Sequence, residues 1–166
     1  MNRVCVLGCS GAGKTTLAGE IAARTGLPWV SLDAHFWQPG WVEMPRDKWH
    51  RTHADLIAQE RWVIDGNFFN TLEARLAVAD TAVFVDLPAW RCFFRVLRRS
   101  AGWWGRSRPD MGPGCYERFD PSFLHYVWHF DRNFRPWLVD ALARYPDLRV
   151  IPIHDNRERV EFLDSL

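Results

Sequence analysis

The sequence predicts a three-layer α/β fold with a five-stranded parallel sheet. Three observations predict it. Short apolar runs alternate with stretches of helical spacing, several of the runs end at Gly or Asp, and the first leads through a glycine-rich turn into a helix. The length of 166 residues suits one domain spanning 1–166, with enough core to fold without a disulfide or metal staple.

Val4–Leu7 reads as a buried strand ending at Gly8. Leu17, Ala18, Ile21 and Ala22 give a helix over 14–25, stopped by Gly26 and Pro28. Trp29–Leu32 is a second strand ending at Asp33, followed by a loop over 34–45. Trp49, His53, Leu56 and Ile57 mark a helix over 46–60, and Trp62–Ile64 is a third strand ending at Asp65-Gly66. Leu72 and Leu76 suggest a short helix, and Thr81–Leu87 is a fourth strand. Pro88 opens a helix expected to turn Trp90, Phe93, Phe94 and Leu97 inward. Residues 100–119 lack periodicity and read as a mobile loop. Asp120-Pro121 starts a helix expected to kink near Pro136, Leu148–Ile153 is the fifth strand, and Asn156 caps a last helix.

Composition excludes several classes. No run of 18 uncharged apolar residues exists, and the N-terminus offers no signal-peptide cleavage site, so a cytoplasmic protein is expected. Cys5, Cys9, Cys92 and Cys115 form no CxxC pair and read as reduced thiols. A formal net charge of +1 argues against a general nucleic-acid binder. His125 and His129 stand four apart but lack further ligands, which argues against a zinc site.

The strongest chemical signal is Gly8-Cys9-Ser10-Gly11-Ala12-Gly13-Lys14-Thr15, a complete GxxxxGK[ST] phosphate loop between a strand and a helix. Main-chain N–H groups of Ser10, Gly11, Ala12, Gly13, Lys14 and Thr15 must converge on phosphate oxygens, which demands small side chains and permissive backbone angles. Lys14 would reach the β- and γ-phosphates of ATP, Thr15 would bind Mg²⁺, and Thr16 would face the α-phosphate. Lys14 is one of only two lysines in an arginine-rich chain, so a compact ammonium is specifically used there.

Ligands of open α/β sheets sit beyond the carboxyl ends of the strands. Asp33, Asp65 and Asp86 occupy such ends. Asp65 is the first choice for the metal, with Asp86 as its competitor. Asp33 suits an acceptor hydroxyl, as a proton acceptor or an orienting group. Trp41, in the 33–60 acceptor-side region, could stack on an acceptor ring or merely pack its loop. Residues 88–118 carry a local excess of +5, leaving −4 elsewhere. Arg98, Arg99, Arg106 and Arg108 read as cations of a lid over roughly 100–119, whereas Arg91 and Arg95 read as a solvated helix face. The base contact is placed near His154–Arg157.

The motifs GCSGAGKTT (8–16), LDAHFWQPGW (32–41), WVIDGNF (62–68), VDLP (85–88), RVLRR (95–99) and RPWL (135–138) give the chain a resemblance to a known family. It resembles the adenylate-kinase-related P-loop proteins labelled DNA topology modulation protein. The resemblance implies a P-loop NTPase fold of the nucleoside monophosphate kinase type, with Asp65-Gly66 matching the Asp-Gly of adenylate kinases and Arg98-Arg99 opening the lid. Two departures stand out. Asn67-Phe68-Phe69 replaces the aromatic-Pro-Arg that follows in adenylate kinases, and no arginine precedes Arg46 on the acceptor side. Both absent arginines would hold an acceptor phosphate. The reading that follows is an ATP- and Mg²⁺-dependent phosphotransferase acting on a small acceptor, with Asp33, Trp41 and Asn67 at the acceptor. The alternatives are a nucleotide-sensing regulator that binds DNA or a protein, and a slow NTPase.

Overall fold

The computed structural model describes residues 1–166. The chain runs through β1 (Arg3–Gly8), α1 (Lys14–Thr25), β2 (Trp29–Ser31), α2 (Leu32–Phe36), β3 (Trp37–Gln38), β4 (Val42–Glu43), α3 (Arg46–Ile57) and β5 (Trp62–Asp65). It continues through α4 (Phe69–Leu76), β6 (Thr81–Val85), α5 (Ala89–Gly102), α6 (Pro121–Trp128), α7 (Phe130–Asn133), α8 (Arg135–Ala143), β7 (Arg149–Ile153) and α9 (Asn156–Asp164). Five parallel strands form the main sheet in the order β2-β5-β1-β6-β7, and β3 pairs with β4 antiparallel.

β1 is the axis of the molecule. Val4, Cys5, Val6 and Leu7 are all inaccessible to water, as a parallel strand covered on both faces must be. Cys5 pairs with Ile64 on one side and Ala82 on the other. The chain returns to opposite sides of β1, so the switch point of the sheet lies at Gly8, and a crevice opens there. α1 starts at that point. Gly13 sits at its N-terminus with φ 98°, and Gly26 ends it with φ 67° while its N–H closes on the Ala22 carbonyl.

Several expectations need correction. β2 stops at Ser31 because Leu32 is drawn fully into the core and turns the chain into α2. Asp33 therefore lies on a helical turn, not at a strand end. The 34–45 loop contains most of that turn and the β3–β4 hairpin, closed by Gly40 and Trp41 at φ 80° and 62°. α5 buries Ala89, Cys92, Val96 and Ser100, leaving Trp90 and Phe94 more than half exposed. The inward stripe is small because it presses on the phosphate loop: a Cβ at Gly11 would lie 2.6 Å from the Cys92 carbonyl oxygen. The helix after Asp120 breaks twice, into α6, α7 and α8. Asp155, not Asn156, caps α9, accepting from the Glu158 N–H at 2.9 Å.

Candidate active site

A cleft of about 1360 Å³ opens at the end of β1. Its floor is the phosphate loop. Ser10, Gly11, Gly13, Lys14, Thr15 and Thr16 line it, whereas Ala12 is turned inward and buried. Gly11 and Gly13 hold φ values of 87° and 98°, a region that strains any other residue. Space beside Gly13 is open to 4 Å, so main-chain amides can meet an anion there. Lys14 Nζ donates to the Cys9 carbonyl oxygen at 2.9 Å, folded over the loop it serves.

Thr15 and Asp65 meet directly, with Thr15 Oγ1 donating to Asp65 Oδ2 at 2.7 Å. Trp29 Nε1 donates to the other carboxylate oxygen at 3.2 Å. Burial pushes the Asp65 carboxyl above the usual carboxylate range, against the opposing pull of the two hydrogen bonds and Lys14. A hydroxyl and a carboxylate beside a phosphate cradle are hard oxygen donors and fit Mg²⁺. Asp86, the competing acid, is held by Arg135 at 2.7 and 2.6 Å and lies outside the cleft.

The turn after β5 is fastened from beneath. Asn67 Oδ1 accepts from the Gly8 N–H at 3.1 Å, and its Nδ2 donates to the Gly8 carbonyl at 2.9 Å. Asn67 borders the cleft, yet its amide is engaged in holding the loop entrance. Arg75, fully buried, donates to the carbonyls of Gly66 and Asn67, to Thr71 Oγ1 and to His53. With no carboxylate in contact, burial lowers its pKa to about 10. Burial, with Arg75 and His50 adding to it, lowers His53 to about 4, so its imidazole is neutral at pH 7.

Across the cleft stands Asp33. Its carboxyl reaches the water of the cleft, but surrounding protein disfavours its charge and raises its pKa. Lys14, Arg108 and Arg99 pull in the opposite direction, and Asp65 adds to the rise. Trp37, Trp41, Glu43, Phe68 and Phe69 line the same side, and no residue of α3 does. Of the region 33–60 expected on the acceptor side, only residues within 33–43 line the cleft.

Segment 103–119 is ordered by ion pairs and by docking on the β3–β4 hairpin. Glu117, 5% exposed, accepts from Ser100 Oγ at 2.7 Å and pairs with Arg108 at 2.9 Å and Arg99 at 3.6 Å. Arg108 also meets Asp110 at 3.1 Å. Gly40 N–H donates to Gly114 O at 2.9 Å and Trp41 Nε1 to Tyr116 O at 2.6 Å. These distant contacts leave no local trace in the sequence. Arg98, Arg99 and Arg108 line the cleft, whereas Arg106 donates to Gly102 O and stacks on Trp103 outside it. His154 lies between β7 and α9, bonded to Glu158, and none of 154–157 reaches the cleft.

Sequence reasoning misses Trp29, Arg95 and Glu117. Arg95 lines the cleft and donates to Ala12 O at 3.3 Å. Its spacing of one helical turn from Arg98 and Arg99 is the available signal. Nothing local distinguishes Glu117 or Trp29.

No protein-family model matches the chain, and no curated protein matches it in sequence. Solved structures do match. Shikimate kinase from Acinetobacter baumannii, in complex with shikimate, superposes with a TM-score of 0.59 at 15% identity, covering 99% of this chain and 90% of that one. Shikimate kinase from Bacteroides thetaiotaomicron gives 0.54 at 16%, covering 99% and 95%. A gluconokinase from Sinorhizobium meliloti gives 0.53 at 17%, covering 99% and 92%. No helix is long and apolar enough to cross a membrane. With its five-stranded parallel sheet and phosphate loop, the chain has the fold of these P-loop kinases.

Proposed function

We propose that the protein is a phosphotransferase that uses ATP and Mg²⁺ to phosphorylate a hydroxyl of a small acceptor. One observation carries this reading: the Thr15–Asp65 pair beside the phosphate loop faces the unpaired carboxyl of Asp33 across one cleft. The cleft exceeds the roughly 300–1,000 Å³ of a single small-ligand site, which leaves room for two substrates. The names of the shikimate kinases and the gluconokinase sharing the fold also point to small-molecule acceptors.

In this reading the amides of residues 10–15 and Lys14 hold the phosphates. Thr15 and Asp65 would hold the metal, and Mg²⁺ bound there would neutralise charge on the phosphates. Asp33 takes the hydroxyl proton, and its raised pKa makes it a better base than a free carboxylate. Arg95 and Arg98 on α5, with Arg99 and Arg108 flanking Asp33, stabilise the phosphoryl group in transit. Segment 103–119 acts as the lid, and Trp41 and Asn67 shape the acceptor side. The narrower kinship, to the adenylate-kinase-related proteins labelled DNA topology modulation protein, is our reading of the six motifs, and no step depends on it.

The test is Lys14→Ala, followed by ADP release and by ATP binding through tryptophan fluorescence. Turnover should fall by about 10²-fold or more. Undiminished turnover and ATP affinity would overturn the reading.

A further inference from the structure

The two walls of the cleft carry different chemistry. The acceptor side, from α2 through β4 and the turn after β5, contributes Asp33, Trp37, Trp41, Glu43, Phe68 and Phe69. It contains two carboxylates, four aromatic rings and no cation. Every basic group of the cleft comes from the phosphate loop, α5 or the lid: Lys14, Arg95, Arg98, Arg99, Arg108 and Arg118.

Most of those cations are already committed. The ion pairs are Arg99–Glu117, Arg108–Glu117 and Arg108–Asp110. Lys14 and Arg95 bond to the loop itself, where the triphosphate charge would engage them. Asp33 and Glu43 stand outside these pairs. An anionic acceptor would thus face two like charges on its own wall, with only Arg98 of α5 and Arg118 of the lid outside those bonds across from it.

The β3–β4 register sharpens the point. Trp37 lies opposite Glu43, so their side chains project from the same face of the hairpin. The Trp41 ring meets Trp37 with centroids 5.7 Å apart and planes at 67°. Two indoles meeting at an angle, with a carboxylate beside them, attract an organic cation and repel an anion. Asp33 sits one helical turn before Trp37, whose N–H bonds to its carbonyl.

We infer that the phosphoryl acceptor is a hydroxyl-bearing organic amine, its ammonium held by Trp37, Trp41 and Glu43 and its hydroxyl presented to Asp33. This rests on the phosphotransferase reading. The acceptor hydroxyl oxygen forms the new bond to the γ-phosphorus as the bond to the β–γ bridging oxygen breaks. ADP leaves with that electron pair, and the hydroxyl proton goes to Asp33. The products are ADP and a phosphate monoester of the amine.

The test uses the full chain, ATP and Mg²⁺ with two matched trios of acceptors: glucosamine, glucose and gluconate, then ethanolamine, ethylene glycol and glycolate. ADP release is followed, and the phosphorylated product is identified by mass. In at least one trio the amine should exceed both counterparts in kcat/KM by about tenfold, the equivalent of about 1.4 kcal/mol. Glu43→Gln should raise KM for that amine by a similar factor, bringing its kcat/KM to within about twofold of the neutral counterpart's, whereas an undiminished preference for the amine would overturn the assignment of Glu43. Preference for the acid or the neutral compound would overturn the amine assignment and leave the phosphotransferase standing. ADP release that depends on Lys14 but rises with no member of either trio would overturn both, leaving a nucleotide hydrolase.

Discussion

The floor and the far wall of the cleft are built on opposite principles. The floor is backbone: a contiguous run of small residues in which Gly11 and Gly13 adopt positive φ. The wall is side chains, drawn from α2, the β3–β4 hairpin, the turn after β5 and the lid. A backbone site tolerates almost no change in shape. A side-chain site can alter its ligand by exchanging single residues on an unchanged frame. On the phosphotransferase reading, the difference would suit a general donor and a particular acceptor.

Substitutions can break that contrast, and the largest effect should come from Asp33. Asp33→Asn should lower acceptor phosphorylation by about 10²–10⁴-fold, the usual span for a general base, while ATP affinity measured by fluorescence stays within about twofold. Equal loss of both would mean that the two walls are not separable. Next comes Gly11→Ala. Its methyl would lie 2.6 Å from the Cys92 carbonyl and 2.9 Å from Val96 Cγ2, so α5 must shift. The expected cost is about 3 kcal/mol in denaturant unfolding, together with loss of ATP binding. Gly13→Ala meets no neighbour and should cost only the left-handed strain, about 1–2 kcal/mol.

Glu117→Gln should act on the lid. It leaves Arg99 and Arg108 without their shared acid, and a loss of about 2 kcal/mol in stability is expected. Its kinetic signature should be a fall in kcat with ATP affinity nearly unchanged. The effect farthest from the cleft is a pH dependence outside both walls, read in stability alone. His53 is held at about 4, against 6.5 when unfolded, so the unfolded chain binds the extra proton. Stability from this group is complete above about pH 6.5 and declines as pH falls towards 4, by at most about 1.4 kcal/mol per pH unit. His53→Gln should flatten that part of the stability profile, measured by denaturant titration between pH 7 and 4.5.

The same contrast explains which parts of the molecule are legible in its sequence. The phosphate loop is contiguous and its chemistry is dictated by its backbone, so Ser10 to Thr16 can be named from one stretch of residues. The central strands β1, β5 and β6 are legible because they are buried on both faces and flanked by Gly and Asp. The Asp65–Thr15 contact spans 50 positions, yet topology alone brings the ends of β1 and β5 together. The far wall is harder. Asp33 and Trp41 are visible as types, but Glu43 gains meaning only through its register with Trp37. Glu117 is an unremarked acid until α5 and the lid close on it. Asn67 shows the converse: its position beside the cleft is legible, but its two bonds to Gly8 depend on long-range packing. The inward face of α5 is misjudged from periodicity because aromatic residues outweigh small ones in such a count, while close approach to the phosphate loop admits only small ones.

The fastening of the lid to the β3–β4 hairpin has a kinetic consequence. Gly114, Tyr116 and Cys115 grip the hairpin through Gly40, Trp41 and Gln38. If segment 103–119 closes over the cleft in the reaction, a molecule held there would depart either sideways or after those bonds part. With each bond contributing about 0.5–1.5 kcal/mol, undoing all three would lengthen a product's residence on the order of tenfold to a thousandfold. On the phosphotransferase reading, the fastening would act as a clock on turnover, and loosening it would trade retention for speed of release.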